Sequence, residues 1–379
     1  MSKDIQYIIR DRCLITGKDT LEPLYCIKNF PVFIGCTDEE ESKDLRADMD
    51  FDICTETGFI QLRKLLPLDL IYSQYHSEAV GKVWASHHEA LKNFIAKHNL
   101  KKVLEIGGSN GAIAKKYVEQ VNDATWTIIE PNPSFEGNKK IRMIKGFFDE
   151  KFTLDKKIDG IIHSHVLEHL YDPIEALRNI YDFLAIGGKH IFSVPNLAAW
   201  LAKKFPNTLN FEHTFFLTEA ILDQLLPASG FKVLEKDYYQ EHSIFYATEK
   251  IAYKQAVVFD NHYQEYKKLY LDFIDCQKKM VGDFNKQMKG FLGHVYLFGA
   301  HIFSQALLEF GLDEKRIVKI LDDSTLKEGK RLYGSSLFVG NPLEIKNKEN
   351  IMVIVKAGTY TDDITKRLQK LNPRAKILN

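Results

Sequence analysis

The sequence lacks an excess of charge of either sign. Lys+Arg and Asp+Glu each total 51 in 379 residues, so no net field draws the chain to nucleic acid or to an anionic membrane. No long basic run supplies the local patch that a polyanion needs. Long apolar runs are missing too, and nothing approaches the ~20 residues that span a bilayer. The first 17 residues are charged throughout, without the apolar centre of a secretory signal. Cysteine is scarce: Cys13, Cys26, Cys36, Cys54 and Cys276. An odd set with no export signal is expected as reduced thiols of a cytoplasm. With 45% hydrophobic and 27% charged residues, the composition is that of a globular protein, and the length predicts two or three domains.

Four of the five cysteines fall in the first 54 residues, together with many turn formers and the acidic run Asp38–Glu41. Residues 1–65 are therefore expected to form a small irregular module. Leu66, Leu70, Ile71, Val80, Val83, Trp84 and Leu91 recur at helical spacing, which predicts bridging helices over 66–96. From Lys101, β-branched runs alternate with helical segments. Strands are expected at Lys102–Ile106, Thr125–Glu130, Ile158–Ser164, Lys189–Val194 and Lys232–Asp237. Helices are expected at Ala112–Gln120, Ile174–Leu184 and Thr218–Ser229. Alternation at this spacing implies a parallel, doubly wound sheet. A polar helix over Phe259–Lys289 precedes a second alternating region, with strands at His294–Phe298, Ile317–Asp322 and Ile351–Val355 and a helix at Ile302–Phe310. The domains are thus drawn at 1–65, 66–250 and 251–379.

The sharpest local feature is Val103-Leu-Glu-Ile-Gly-Gly-Ser-Asn-Gly-Ala112, a buried strand running into a glycine-rich turn that opens a helix. Such turns admit a ligand close to the backbone and serve both nicotinamide and methyl-donor enzymes. The spacing Gly107-Gly108-x-x-Gly111 is not the dinucleotide fingerprint. Glu105 favours a methyl donor, since an acidic residue there can face the donor's cationic amino end. Glu130 ends the second strand about 20 residues beyond the turn, where a carboxylate accepts from ribose hydroxyls. Gly146-Phe-Phe-Asp149 offers an aromatic and an acidic residue for an adenine pocket. His163-Ser-His-Val-Leu-Glu-His-Leu-Tyr-Asp-Pro173 follows the next strand.

With these residues in place the chain resembles the class I methyltransferases, and more narrowly the three-domain sugar C-methyltransferases that act on nucleotide-linked deoxysugars. The C-terminal part of the likeness is carried by Tyr296-Leu-Phe-Gly-Ala300, Leu321-Asp-Asp-Ser324, Lys327-Glu-Gly-Lys330 and Pro342-Leu-Glu-Ile345. The resemblance implies an α/β fold: a Rossmann-like class I methyltransferase domain between a small zinc-finger-like N-terminal module and a C-terminal Rossmann-like domain. It implies S-adenosyl-L-methionine as cofactor, held by Glu105, Gly107, Gly108, Asn110, Gly111, Glu130, Pro131, Phe148, Asp149, His165 and His169. The implied substrate is a nucleotide sugar, with no nucleic-acid or membrane partner and a monomer or homodimer as the working state.

The family's Tyr-x-Glu-His catalytic stretch is similar to Asn210-Phe-Glu-His213, which makes His213 the expected base and Glu212 its partner. Histidine suits that role because its ordinary pKa lies near working pH. Asn210 stands where the tyrosine is expected; Tyr72 and Tyr75 are the candidates to supply a phenol, and His242 in Gln240-Glu-His-Ser243 is a second candidate base. The N-terminal knuckles read Cys13-Leu-Ile-Thr-Gly17 and Cys54-Thr-Glu-Thr-Gly58, with threonine in place of the second ligand of each pair. A structural zinc needs four such ligands, so no metal is expected. Transfer to oxygen or nitrogen, a non-catalytic homologue that only binds the donor, and a nicotinamide-dependent oxidoreductase are the other readings left open.

Overall fold

The computed structural model describes residues 5–72 and 82–379. The chain divides into two units that do not follow sequence order. One gathers residues up to Pro23 with Phe51–Ala199 and Glu212–Tyr266; the other gathers Leu24–Asp50, Trp200–Phe211 and Lys267–Asn379.

The first unit is built on a seven-stranded sheet. Its strands are β1 (Lys102–Ile106), β2 (Thr125–Glu130), β3 (Ile141–Lys145), β4 (Gly160–Ser164), β5 (Lys189–Pro195), β6 (Phe231–Tyr239) and β7 (Ser243–Lys250), in the spatial order β3-β2-β1-β4-β5-β7-β6. The pairs β3–β2, β2–β1, β1–β4 and β4–β5 are parallel, whereas β7 runs antiparallel to both β5 and β6. The parallel expectation therefore needs a correction at one edge. Ser243–Lys250 is a strand to which the sequence reading assigned no element, and it enters by a hairpin from β6 rather than by a crossover helix.

Of the bridging helices expected over 66–96, the described residues form a short turn of helix at Leu68–Ile71 and α1 (Lys82–Ala96), with 73–81 outside the described residues. The helices α2 (Ala112–Gln120), α3 (Pro173–Phe183) and α4 (Glu219–Ala228) match the periodicity within a residue or so at their ends. The start of α3 is specified locally. Asp172 accepts from the backbone N–H groups of Ile174 and Glu175, both at 2.9 Å, and Pro173 occupies the first turn. A cap of this kind contributes about 1 kcal/mol. Leu91, Phe94 and Ile95 of α1 and Ile113, Tyr117 and Val118 of α2 pack with Trp126 and Phe245 in one buried cluster. The centre of the sheet is covered on both faces, so β1 is buried from Val103 to Ile106.

The second unit holds a five-stranded all-parallel sheet: β8 (His294–Phe298), β9 (Ile317–Leu321), β10 (Val339–Gly340), β11 (Ile351–Val355) and β12 (Lys376–Leu378), in the order β10-β9-β8-β11-β12. Its helices include α5 (Tyr263–Lys289, from Lys267 onward), α6 (Ile302–Glu309) and α7 (Thr361–Leu371). Residues 24–50 belong to this unit through a buried ion pair. Arg331 meets Asp44 at 2.7 Å through both guanidinium nitrogens, with side chains 5% and 2% exposed.

Candidate active site

The order of strands reverses between β1 and β4, and in open α/β sheets the ligand crevice lies at the carboxyl ends of the strands flanking that point. Both segments singled out in the sequence emerge there: the glycine turn after β1 and the histidine-rich loop after β4.

The turn is specified by its neighbours. Gly107 takes φ +71°, and a Cβ at that position would lie 2.6 Å from Val166 Cγ2. At Gly108 a Cβ would come within 2.7 Å of Ile128 Cγ2 and 2.9 Å of the Glu105 carboxyl carbon. Only glycine fits either place. Asn110 Oδ1 accepts from Ala112 N at 3.0 Å and so starts α2. Glu130 closes the other side: its carboxylate accepts from Ser109 N at 3.0 Å and from Asn132 N at 2.9 Å, across Pro131. Each oxygen retains a lone pair for a hydroxyl. A glycine cradle over a helix N-terminus, with a carboxylate beside it, fits a donor carrying a ribose diol, so these residues would hold S-adenosylmethionine.

Two of the expected donor contacts are differently placed. Glu105 is 2% exposed and lies beneath the turn, accepting from Trp126 Nε1 at 2.8 Å. Burial pushes its carboxyl up to about 7, against the pull of the indole hydrogen bond. It supports the turn from the core side, because β1 is buried on both faces and strand parity does not turn the side chain outward. Phe148 packs on Phe152 and Phe183 of α3, at ring separations of 5.5 and 5.6 Å. The exposed ring is its neighbour Phe147, which meets Tyr72 edge-on at 6.1 Å. Asp149 caps its own turn, accepting from Lys151 N at 3.0 Å.

The loop after β4 brings His165 and His169 together with the expected catalytic residues. His169 Nδ1 lies 3.3 Å from the Glu212 carboxylate, and the His169 and His213 rings are 5.1 Å apart. Between them sits Glu168, 1% exposed, with a carboxylate oxygen 3.3 Å from His165 Nδ1 and 4.0 Å from His169 Nε2. Burial raises the Glu168 carboxyl to about 7, partly countered by His169. Burial, helped by neighbouring His169, holds His213 well below the usual histidine range, so its ring is neutral at neutral pH. Glu168 was passed over in the sequence, although it stands beside His169 in the same Leu-Glu-His stretch.

The loop carrying His213 is fixed from below. The Arg10 guanidinium donates to Thr214 O at 2.7 Å and to Thr214 Oγ1 at 3.1 Å, and it also reaches Tyr171 O. Leu62 N donates to Thr214 O at 2.9 Å, beside the short strand pairing of Ile60–Leu62 with Phe215–Phe216. Arg10 thus ties the two segments that supply His169 and His213. Nothing in its sequence context marks it, because its partners lie 161 and 204 residues away.

Of the candidate phenols, Tyr72 is half-buried. Burial, and then the nearby carboxylates of Glu212, Glu130 and Glu168, push its hydroxyl well above the usual range, so it stays protonated as a donor. Tyr75 lies outside the described residues. Asn210 donates from Nδ2 to Asn207 O at 3.1 Å. His242 lies with His165 and His87, its Nδ1 2.6 Å from Ser243 Oγ.

The two N-terminal knuckles keep their turns. Gly17 N donates to Cys13 O and Gly58 N to Cys54 O, each at 2.8 Å. The thiols share a proton: the hydrogen bond from Cys13 holds Cys54 down to about 5 and drives Cys13 up. Two thiols with threonine hydroxyls around them are not the donor set of a structural zinc centre.

Residues 80–236 match a family model described as a methyltransferase domain. No curated protein gives a significant match. Among solved structures, the chain is similar to the 1,6-didemethyltoxoflavin-N1-methyltransferase of Burkholderia thailandensis, with 17% identity and a TM-score of 0.38 over 45% of this chain and 81% of that one. It is similar to the N-methyltransferase NodS of Bradyrhizobium japonicum WM9, with 18% identity and a TM-score of 0.35 over 45% and 97% of the respective chains. Human N-acetylserotonin methyltransferase gives 19% identity and a TM-score of 0.37 over 45% of this chain and 53% of that one. Residues 80–236 carry a methyltransferase domain, and the protein is a methyltransferase.

Proposed function

We propose that the acceptor is a nucleotide-linked 4-keto deoxysugar and that methylation is at the carbon beside the ketone. The observation that carries this reading is the grouping of Glu168, His169, Glu212 and His213 at the carboxyl end of β4, next to the donor turn. A methyl acceptor that is already nucleophilic needs no such apparatus; a C–H bond needs a base.

The bound donor supplies an electrophilic methyl group. His213, kept neutral by burial, takes the proton from the carbon next to the ketone, and the electron pair of that C–H bond forms the enolate. Glu212, 3.3 Å from His169 Nδ1, stabilises positive charge on the paired rings as the proton arrives. Tyr72, held protonated, is the candidate donor to the ketone oxygen in place of the tyrosine that Asn210 replaces. Transfer to oxygen is the second reading, favoured by Asn210, since removing a hydroxyl proton requires only His213.

The test is incubation with methyl-labelled donor and a panel of nucleoside diphosphate sugars. Label on a ring carbon of a keto sugar supports the proposal; an ether on an ordinary sugar supports oxygen transfer. His213→Asn is expected to lower kcat by about 10²–10⁴-fold with cofactor affinity unchanged, and full activity in this variant rules His213 out as the base.

A further inference from the structure

We propose that His87, His165 and His242 form a transition-metal site, a three-histidine seat for a divalent ion of the zinc class beside the donor turn. The inference is independent of which acceptor the enzyme uses.

One potential ligand atom from each of the three residues lies within 4.8 Å of the others. The ring centres are 5.3 Å (His87–His165), 5.7 Å (His87–His242) and 5.4 Å (His165–His242) apart. Three imidazoles bound tetrahedrally at about 2.0–2.1 Å from a zinc ion have ring centres roughly 5 Å apart. The spacing is that of rings facing one point.

The second observation is His87 itself. It is fully buried, and neither ring nitrogen has a hydrogen-bond partner among the described residues. Packing against Trp84 and Phe245, each 5.2 Å away, fills space but provides no acceptor or donor. Buried polar groups are almost always satisfied, and an ion satisfies this one. The cluster also has the outer support of a metal site. His165 Nδ1 lies 3.3 Å from the Glu168 carboxylate, a carboxylate placed to orient the ring of a metal-bound histidine, which leaves Nε2 on the other side of the ring. That nitrogen is 2.8 Å from Ser243 Oγ, the hydroxyl that also meets His242 Nδ1. His165 is held in the left-handed region at φ 53°, a conformation that costs energy for a residue with a Cβ and that persists where the surroundings impose it.

Three nitrogens leave a coordination position open, and Val166, next to His165, touches the turn at Gly107. The ion is therefore a Lewis acid available to an acceptor oxygen. Neutral imidazoles without thiolate select zinc, copper, nickel or cobalt over magnesium or calcium. Glu168, His169 and His213 also lie within ligand distance of one another, and the His213→Gln variant distinguishes that set from the three histidines.

Titration of the full metal-free chain with Co²⁺ decides the matter. One equivalent is expected, with the intense visible absorption of four-coordinate cobalt, displaced by Zn²⁺. His87→Gln and His242→Gln, each checked by circular dichroism, are expected to weaken binding by at least about 10-fold and to lose the band, while His213→Gln keeps both. Absence of binding by the unmodified chain overturns the proposal. So does binding that His213→Gln abolishes and His87→Gln leaves intact.

Discussion

The first unit's sheet holds a buried pair of histidines whose resistance to protonation weakens the fold in acid. His163 on β4 and His190 on β5 meet through their Nε2 atoms at 2.9 Å, are 1% and 0% exposed, and stack on Phe192 at 4.9 and 4.5 Å. One proton is shared between the facing nitrogens, and neither Nδ1 has a partner among the described residues. Burial lowers His163 from 6.5 to about 3 and His190 in the same direction. A depressed pKa means that the folded state resists a proton the unfolded chain accepts. The contribution is present above pH 6.5 and is lost as pH falls toward 3. At 1.36 kcal/mol per unit, His163 alone costs about 3 kcal/mol between pH 6.5 and 4.5, and His190 adds to it. Glu105 and Glu168, both raised to about 7, act with the opposite sign over this range, so the pair is isolated by comparing variants. In His163→Leu/His190→Leu both polar partners are removed together, which is nearly neutral at pH 7.5. Urea unfolding followed by circular dichroism at pH 7.5 and 4.5 should show the double variant losing at least about 3 kcal/mol less than the parent. Equal losses in the two proteins would refute the reasoning.

Other outcomes follow from single contacts. Glu130→Gln leaves the fold in place but weakens the acceptor for the turn and for a ribose diol; S-adenosylhomocysteine affinity should fall about 10-fold or more, at 1.5–3 kcal/mol per charged hydrogen bond, by calorimetry. Arg10→Met frees Thr214 and Tyr171 together, and kcat should fall while donor affinity holds, a split that a general loss of folding does not produce. In the second unit, Asp44→Ala leaves Arg331 buried without its partner and should cost about 3–5 kcal/mol, measured as a lower urea midpoint for that unit's transition.

The donor half of the site was legible because its signals are local. The strand, the glycine turn and the helix after it are contiguous, and Glu130 stands at a fixed distance beyond them. Side-chain direction was not legible within β1, since a strand covered on both faces shows no alternation and Glu105 reads the same whether it faces the ligand or the core. Phe147 and Phe148 were interchangeable for a similar reason: neighbouring aromatic residues in a turn carry no period. The strand Ser243–Lys250 was missed because Gln240-Glu-His-Ser243 reads as a polar loop, and the antiparallel hairpin sets in directly after it. His87 looked like one polar residue on a bridging helix. Its surroundings come from residues 78 and 155 positions further along, a separation no local pattern encodes. Arg10 is of the same kind. Zinc knuckles, by contrast, are local, and the loss of their second cysteines was visible at once.

The central claim is that the turn at Gly107–Gly111, with Glu130, holds S-adenosylmethionine. Calorimetric titration of the folded chain with S-adenosylhomocysteine tests it most directly. One site per chain is predicted, with affinity reduced in Glu130→Gln. A folded chain that takes up no S-adenosylhomocysteine, or that binds it equally well without the Glu130 carboxylate, contradicts the account.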